Sequence, residues 1–208
     1  MEADYKKTDI SKKIVDLSTS LFRQAGYKAF SYRDLAKAIG IKTSSIHYYF
    51  PTKDDLALVI VKQHRNETAG NREAINSRSQ DPKARLEMYL DSYIDTFKKD
   101  DNIGFCTMLA SDSDNLPQIV NEEVKKLFLD DINWITGVIE AGDRKNIFQI
   151  DQNPKDVAEI IFSFLQGAAV NSNTLGDEKI LDNASDVIKK MLASKDKGII
   201  SKYLSIGR

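Results

Sequence analysis

The chain has 208 residues, of which 41% are hydrophobic and 29% are charged, and this length allows one or two domains with a substantial core. The composition excludes long disordered stretches, and the single cysteine excludes an internal disulfide framework or a multi-cysteine metal centre. The two histidines, His47 and His64, have no cysteine cluster beside them, so we predict no metal and no cofactor. No signal-peptide pattern is present, and the longest apolar run, residues 56–61, is too short to span a membrane. The sequence predicts a cytoplasmic protein without a membrane partner.

Charge is distributed unevenly along the chain. Residues 1–65 contain 12 Lys and Arg against 7 Asp and Glu, whereas residues 66–208 contain 18 against 24. A basic N-terminal part on an acidic remainder indicates that only the first part meets a polyanion. Ordinary scatter of surface charge is the alternative explanation of this imbalance.

One amphipathic helix followed by two short helices is predicted in the N-terminal part of the chain. Apolar residues at three- and four-residue spacing predict a helix over residues 8–25. Ser31 and Asp34 form a capping-box pattern that opens a second helix, which Gly40 ends. A third helix is predicted over about 43–50, where the following proline stops it.

The rest of the chain also carries helical periodicity, and no alternating strand pattern competes with it. Apolar content falls between residues 67 and 80, which makes this stretch the best candidate boundary. The predicted fold class is therefore all-α. The longer predicted helices cover about 53–66, 81–99, 118–141, 153–174 and 177–194, with Gly142 ending the third of them.

The most informative stretch is 30–53, where two short helices are separated by the turn 40–42 in the manner of a helix-turn-helix. If Ile46 points inward on the second of these helices, Ser44 and Tyr48 face outward. Small hydroxyl residues let a helix enter a major groove, and hydroxyl groups reach phosphates and base edges. The alternative is a plain helical hairpin whose aromatic residues all belong to a core.

The segment 36–56 closely resembles the DNA-binding signature of the tetracycline-repressor (TetR) family. It contains the glycine-hydrophobic turn at Gly40, a patch of small residues, an aromatic pair before Phe50, and a Lys-acid-x-Leu start at Lys53. The resemblance extends upstream and covers about the first 60 residues. Lys42, His47 and Tyr49 depart from the usual residues of the signature, and these departures concern the operator sequence rather than the DNA-binding role.

The resemblance implies a transcriptional regulator rather than an enzyme: usually a repressor that binds a palindromic double-stranded DNA operator as a homodimer and is released by a small-molecule effector of unknown identity. It implies a helix-turn-helix DNA-binding domain over 1–53, a connecting helix and boundary over 54–80, and a ligand-binding and dimerisation domain over 81–208. The candidate DNA contacts are Ser31, Arg33, Lys42, Thr43, Ser44, Ser45, His47, Tyr48 and Lys53.

The predicted C-terminal domain offers two further sets of candidates, and for both the alternative is simple core packing. Apolar residues cover more than one face of the last two helices, which favours a dimer interface. The candidates for that interface are Ile161, Phe164, Leu165, Ala168, Ile188 and Met191. The candidates for an effector pocket are Tyr93, Phe97, Phe105, Cys106 and Trp134, with an inert role expected for the thiol.

Two other classes of protein compete with the regulator. One is an all-α enzyme, or a ligand carrier whose N-terminal domain has no function. An enzyme would use the acidic residues of the predicted C-terminal domain, residues 81–208. This domain contains no Glu-x-x-His motif and no histidine. A nonspecific architectural DNA-binding protein would not need a body of this size. The sequence therefore favours the regulator.

Overall fold

The computed structural model describes residues 8–27, 31–100, 105–111 and 113–193. Throughout these residues the regular secondary structure is helical, which confirms the all-α prediction. A short 3-10 turn, Ser113–Asn115, precedes the seventh helix. The α-helices are α1 (Asp9–Ala25), α2 (Tyr32–Ile39), α3 (Thr43–Tyr49), α4 (Lys53–Arg78), α5 (Pro82–Asp100), α6 (Phe105–Ser111), α7 (Gln118–Arg144), α8 (Pro154–Leu175) and α9 (Lys179–Ala193).

The helix starts are set by local side-chain caps. Thr8 and Ser11 form a capping box at the start of α1, and Ser31 and Asp34 form the predicted one at the start of α2. Each box satisfies backbone N–H groups that the first helical turn leaves without partners. Gly40 ends α2 in the left-handed region, with φ 78° and ψ 32°, which a side chain would disfavour.

The fourth helix continues much further than the apolar pattern predicts. The polar stretch from residue 67 onward is helical as far as Arg78. Two side chains of this stretch, Arg72 and Ile75, are buried although most of their neighbours are exposed. These two side chains lie three residues apart on one side of the helix, and tertiary packing rather than propensity supplies most helical stability.

The chain forms two compact units. The first contains residues 1–67 and 105–126, and the second contains residues 68–104 and 127–208. Both α4 and α7 therefore contribute a segment to each unit. The three functional domains predicted from the sequence remain predictions, since compactness does not assign a function.

The first unit is built around the contacts of α1 with α2, α3 and α6, and of α2 with α3. Large side chains at its centre are almost completely buried: Ile14 and Phe22 of α1, Leu35 of α2, Ile46 of α3, and Phe50 just after α3. Burying a side chain of this size stabilises the fold by about 1.5–3 kcal/mol. These residues hold α2 and α3 in place.

The second unit has one large apolar core. Residues from α5, α7, α8 and α9 contribute to it, and α8 and α9 pack on each other along their length. Leu90, Ile135, Ile139, Leu165 and Leu181 have no exposed surface. Two exposed ion pairs, between α5 and α9, add little to the stability of this core.

Gly142 does not end α7, contrary to the prediction. The helix continues to Arg144, and a left-handed residue, Asn146, reverses the chain after it. Gly142 instead permits a close approach: a Cβ atom at this position would lie 2.0 Å from Cδ2 of the buried Phe148. Glycine is required here because Phe148, which lies beyond the helix, packs against this position. The sequence pattern for a helix end does not include such a contact.

We expect Gly142→Ala to lower the free energy of unfolding by about 1–3 kcal/mol, because the Phe148 ring must move out of a packed core. Gly137→Ala is the matched control, since Gly137 lies in the same helix, is exposed and has open space around its Cα. The control should be neutral or stabilise by up to about 1 kcal/mol through helix propensity. Urea unfolding measures both, and equal effects would contradict the packing argument.

Candidate nucleic-acid interface

The turn between α2 and α3 sets the geometry of the candidate interface. The N–H groups of Gly40 and Ile41 both donate to the carbonyl of Ala36 at 3.0 Å, which closes the end of α2. Leu35 and Ile46 are fully buried on the two sides of this turn. The predicted helix-turn-helix is therefore present, with the inward side of α3 held by its isoleucine.

The outward side of α3 is polar. Ser44, His47 and Tyr48 are exposed, the last with 68% of its surface accessible, while Thr43 and Ser45 are half-buried. Tyr48 contacts Tyr49 edge to face, with ring centroids 5.1 Å apart. An exposed tyrosine next to short hydroxyl residues is a surface that fits a groove lined by phosphates and base edges.

The basic candidates and Ser31 differ in how far their polar groups are already engaged. Lys42 and Arg33 are exposed, and the Lys42 side chain makes no capping bond at the start of α3. The Ser31 hydroxyl, in contrast, donates to a carboxylate oxygen of Asp34 at 2.7 Å and accepts from the Asp34 N–H. These bonds to Ser31 hold the pKa of Asp34 below its usual value. Ser31 therefore has a structural role in capping α2.

The connection from α3 to α4 is held by side chains from earlier in the chain. The Tyr32 hydroxyl contacts the carbonyl oxygens of Phe50, at 3.0 Å, and of Thr52. The Nδ1 atom of His47 lies 3.0 Å from the carbonyl oxygen of Pro51. All three consecutive carbonyl groups of the connection thus have a side-chain partner, which fixes α3 relative to the start of α4.

Lys53, the predicted phosphate contact at the start of α4, lies over an aromatic ring. Its Nζ atom is 4.6 Å from the centroid of the Tyr27 ring, a cation–π contact. The Tyr27 hydroxyl in turn donates to the Asp54 carboxylate, and burial followed by this hydrogen bond raises the Tyr27 pKa. Burial lowers the pKa of Lys53, and the charge of Asp54 opposes that shift. The ammonium group is positioned and partly desolvated.

The predicted pocket residues of the second unit belong to its core. Phe97 is buried, and Tyr93 and Trp134 are half-buried against the core cluster. The indole N–H of Trp134 donates to the side-chain oxygen of Asn76 at 3.2 Å. The structure therefore brings these three rings into one unit. The other two candidates, Phe105 and Cys106, begin α6 in the first unit, and their side chains lie outside the described residues.

A buried ion pair in the second unit was not predicted. The Arg72 guanidinium donates to the Asp131 carboxylate at 2.7 Å, and Asp130 lies 3.9 Å from it. The Tyr89 hydroxyl also bonds to Asp131. Burial raises the pKa of Asp131, and the charge of Arg72 opposes this shift. The sequence signal is the spacing of Arg72 and Ile75, which places a charged residue on the buried side of α4.

The predicted dimer interface divides into buried and accessible residues. Four candidates are buried within the chain's own core: Ile161, Leu165, Ala168 and Ile188. Phe164 is 43% exposed and Met191 is half-buried. Ile160 and Val187, which the prediction omitted, are also exposed. This face carries an apolar groove between α8 and α9. Its lining residues are the accessible Ile160, Phe164 and Met191 and the buried Val157, Ile161, Ile188 and Leu192.

Two protein-family models match this chain, one in its N-terminal part and one in its C-terminal part. Residues 14–60 match the model of the bacterial regulatory proteins of the tetR family. Residues 82–188, more than half of the chain, match the model of the tetracyclin repressor-like C-terminal domain. The chain belongs to the TetR family.

Curated relatives of this TetR-family protein are regulators. It is 25% identical over 162 residues to the HTH-type transcriptional repressor KstR2 of Rhodococcus jostii, covering 75% of this chain and 74% of the relative. It is 18% identical over 166 residues to the fatty acid metabolism regulator protein of Bacillus subtilis, covering 80% and 84% of the two chains. The chain is a DNA-binding transcriptional regulator, and the expectation that it is not an enzyme is confirmed by its family.

Solved structures of the TetR family share the fold. A TetR-family regulator from Agrobacterium tumefaciens superimposes with a TM-score of 0.84 at 26% identity, covering 88% of this chain and 97% of that one. A TetR regulator from Legionella pneumophila gives 0.80 at 28% identity, covering 90% and 99%. Within the described residues, no helix is long and apolar enough to cross a membrane, and no group of three potential metal ligands occurs.

Proposed function

We propose that this TetR-family regulator is a homodimeric repressor that binds a palindromic operator through α2 and α3. It dissociates from the operator when a small molecule binds the C-terminal domain, residues 81–208. The observation that carries the proposal is the outward side of α3. It exposes Ser44, His47 and Tyr48, while its inward residue Ile46 and the connection to α4 are held in place. A rigid helix with a polar outer surface is what major-groove recognition requires.

The candidate contacts have two roles in this proposal. Tyr48 and Lys53 bind phosphate groups and position the protein, together with Arg33 and Lys42, and these contacts carry no sequence information. Thr43, Ser44 and Ser45 meet base edges with His47. Ser31 serves mainly as the cap of α2, since its hydroxyl is engaged with Asp34.

A second copy of the chain covers the apolar groove between α8 and α9 in this proposal. Exposed apolar side chains at Ile160, Phe164 and Val187 support this assignment, because contiguous apolar patches larger than a few hundred Å² are rare on soluble monomers and often mark interaction sites. A two-fold axis through the groove repeats the same contacts twice and yields two recognition helices. A palindromic operator has two half-sites, about 34–36 Å apart, one for each recognition helix.

The effector site lies in the C-terminal domain in this proposal, where Tyr93, Phe97 and Trp134 are candidate lining residues. A ligand that favours a different separation of the two recognition helices lowers operator affinity, because one half-site is then no longer reached. Repression is the favoured direction of control, since the relative KstR2 is a transcriptional repressor.

Mobility-shift assays with genomic fragments test the proposed DNA binding. We expect one or a few fragments to bind with a dissociation constant of about 10⁻⁸ M or tighter at physiological salt, and to weaken steeply as salt rises. Tyr48→Ala and Lys53→Ala should weaken binding to all fragments, and Lys53→Ala should reduce the salt slope by about one for each phosphate group that is no longer neutralised. Lys62→Ala is the control, an exposed α4 lysine outside the predicted set.

Selection from randomised operators tests the base-contacting group. Ser44→Ala and Thr43→Ala should change which bases are preferred, at a cost of about 1–3 kcal/mol for each hydrogen bond to a base that is removed. In the mobility-shift assay, equal affinity of the wild-type protein for every genomic fragment would exclude a specific operator. Unchanged preference in both variants would remove these residues from the base-contacting group.

A further inference from the structure

His47 is an exposed residue of α3 whose ring is fixed by one hydrogen bond. Its Nδ1 atom lies 3.0 Å from the carbonyl oxygen of Pro51. A carbonyl oxygen only accepts hydrogen bonds, so this contact requires the proton to be on Nδ1. In the neutral imidazole the other nitrogen, Nε2, is then a hydrogen-bond acceptor.

The ring of His47 is also held from its side. The Tyr32 ring packs against it at an interplanar angle of 66°, with centroids 4.8 Å apart. Tyr32 itself is buried and bound through its hydroxyl to the carbonyls of Phe50 and Thr52. The orientation of His47 is therefore set by two contacts before any DNA binds, and these contacts leave Nε2 as its remaining polar atom.

An acceptor has few partners on DNA. Phosphate oxygens, the N7 and O6 atoms of guanine and the O4 atom of thymine are themselves acceptors, so a bare Nε2 cannot bond to them. The major groove offers two donors, the N6 amino group of adenine and the N4 amino group of cytosine. The neighbouring candidates differ, because serine, threonine and tyrosine hydroxyls both donate and accept, and lysine only donates.

We propose that Nε2 of His47 accepts a hydrogen bond from the exocyclic amino group of an adenine or a cytosine in each operator half-site. His47 is thus a specificity-determining residue that excludes guanine and thymine at one position. The proposal rests on the proposed operator binding through α3. It gives the Pro51 carbonyl and the Tyr32 ring a role in recognition, since the carbonyl keeps the proton on Nδ1 and the ring orients the imidazole.

The first step of the test locates the base. Randomised-operator selection at pH 8, where an imidazole is ordinarily neutral, compares the wild-type protein with His47→Ala. We expect one position per half-site at which adenine or cytosine is preferred by the wild-type protein and the preference disappears in the variant. His47→Lys, which only donates, should shift that position to guanine, whose N7 and O6 atoms accept.

The second step removes the amino group alone. At the located position, adenine is replaced by purine or cytosine by 2-pyrimidinone, which lack the exocyclic amino group. The wild-type protein should bind the analogue about 5- to 100-fold more weakly than the natural operator, whereas His47→Ala should bind both equally. Lys62→Ala is the control, since this exposed lysine lies outside the candidate DNA contacts, and it should retain the wild-type response.

The outcomes separate the two proposals. Equal loss of affinity for the analogue in the wild-type protein and in His47→Ala overturns the role of His47. So does a base preference that depends on His47 but is for guanine or thymine. Specific operator binding with no base preference that depends on His47 overturns this role as well, and leaves the proposed operator binding intact. Absence of any specific operator overturns both. Thermal unfolding of the variants verifies that each is folded, since His47 is exposed and its removal opens no core cavity.

Discussion

Phe164→Glu should convert the protein to monomers and lower its operator affinity at least ~100-fold. The side chain is 43% exposed on α8 and borders the apolar groove with Ile160 and Met191. A two-fold interface would bury the new carboxylate twice without a counter-charge, and burying an unpaired charge costs several kcal/mol. Sedimentation velocity measures the oligomeric state, and mobility shifts with the selected operator measure the affinity.

Ser163→Glu is the matched control for this prediction. It adds the same charge one residue earlier on α8, at an exposed position about 100° around the helix from Phe164. The control should remain dimeric and bind the operator as the wild-type protein does. A Phe164→Glu variant that stays dimeric would place the interface elsewhere. Monomers that bind the full operator with unchanged affinity would exclude the requirement for a dimer.

Arg72→Ala should lower the free energy of unfolding by about 3–5 kcal/mol. Only 8% of the Arg72 side chain and 14% of the Asp131 side chain are accessible, and the variant leaves this carboxylate without its closest counter-charge. The Tyr89 hydroxyl remains as a donor but carries no charge. Urea unfolding at pH 7 measures the loss, which is large relative to the total stability of an ordinary domain.

The effect of Arg72→Ala should depend on pH. Burial already raises the pKa of Asp131 from 3.8, and removal of the arginine raises it further. A buried carboxyl group whose pKa is raised in the folded state destabilises the fold only when it is charged. The stability lost in Arg72→Ala should therefore shrink as the pH falls through that pKa. A penalty independent of pH would mean that missing packing of the arginine stem, not the unpaired charge, causes the effect.

Two variants distinguish a buried from an exposed ion pair. Lys98→Ala breaks the contact of Lys98 with Asp182, in which both side chains are well exposed, and should lower the stability far less than Arg72→Ala does. Arg72→Met combined with Asp131→Leu removes both charges and should recover most of the stability that Arg72→Ala forfeits. If the double variant is as unstable as the single one, the contribution of Arg72 lies in a contact other than Asp131.

Local features of the fold were predictable from the sequence. The capping box of Ser31 and Asp34 and the left-handed end of α2 at Gly40 occur where the sequence predicts them. Both depend on atoms within three or four residues of one another, so the local pattern contains all the necessary information. The inward position of Ile46 was an assumption from which periodicity placed Ser44 and Tyr48 outward, and the structure has all three residues in these positions.

Features that depend on distant residues were not predictable. The stop assigned to Gly142 was wrong because the glycine is needed for packing against Phe148 after a chain reversal. The groove between α8 and α9 shows the same limit. Hydrophobicity alone could not separate the buried Leu165 from the accessible Phe164, since both are apolar residues of one helix.

The sequence by itself determined the helical class, the helix-turn-helix and the family, because these depend on periodicity, short-range caps and an ordered signature within about 60 residues. Only the tertiary structure decided which polar groups are engaged. Arg72 meets Asp131 across 59 residues of chain, and Tyr32 reaches Thr52 across 20. The accepting form of His47 likewise depends on where the Pro51 carbonyl comes to lie. Charge and hydrogen-bonding state follow from such contacts, which exist only once the helices have packed.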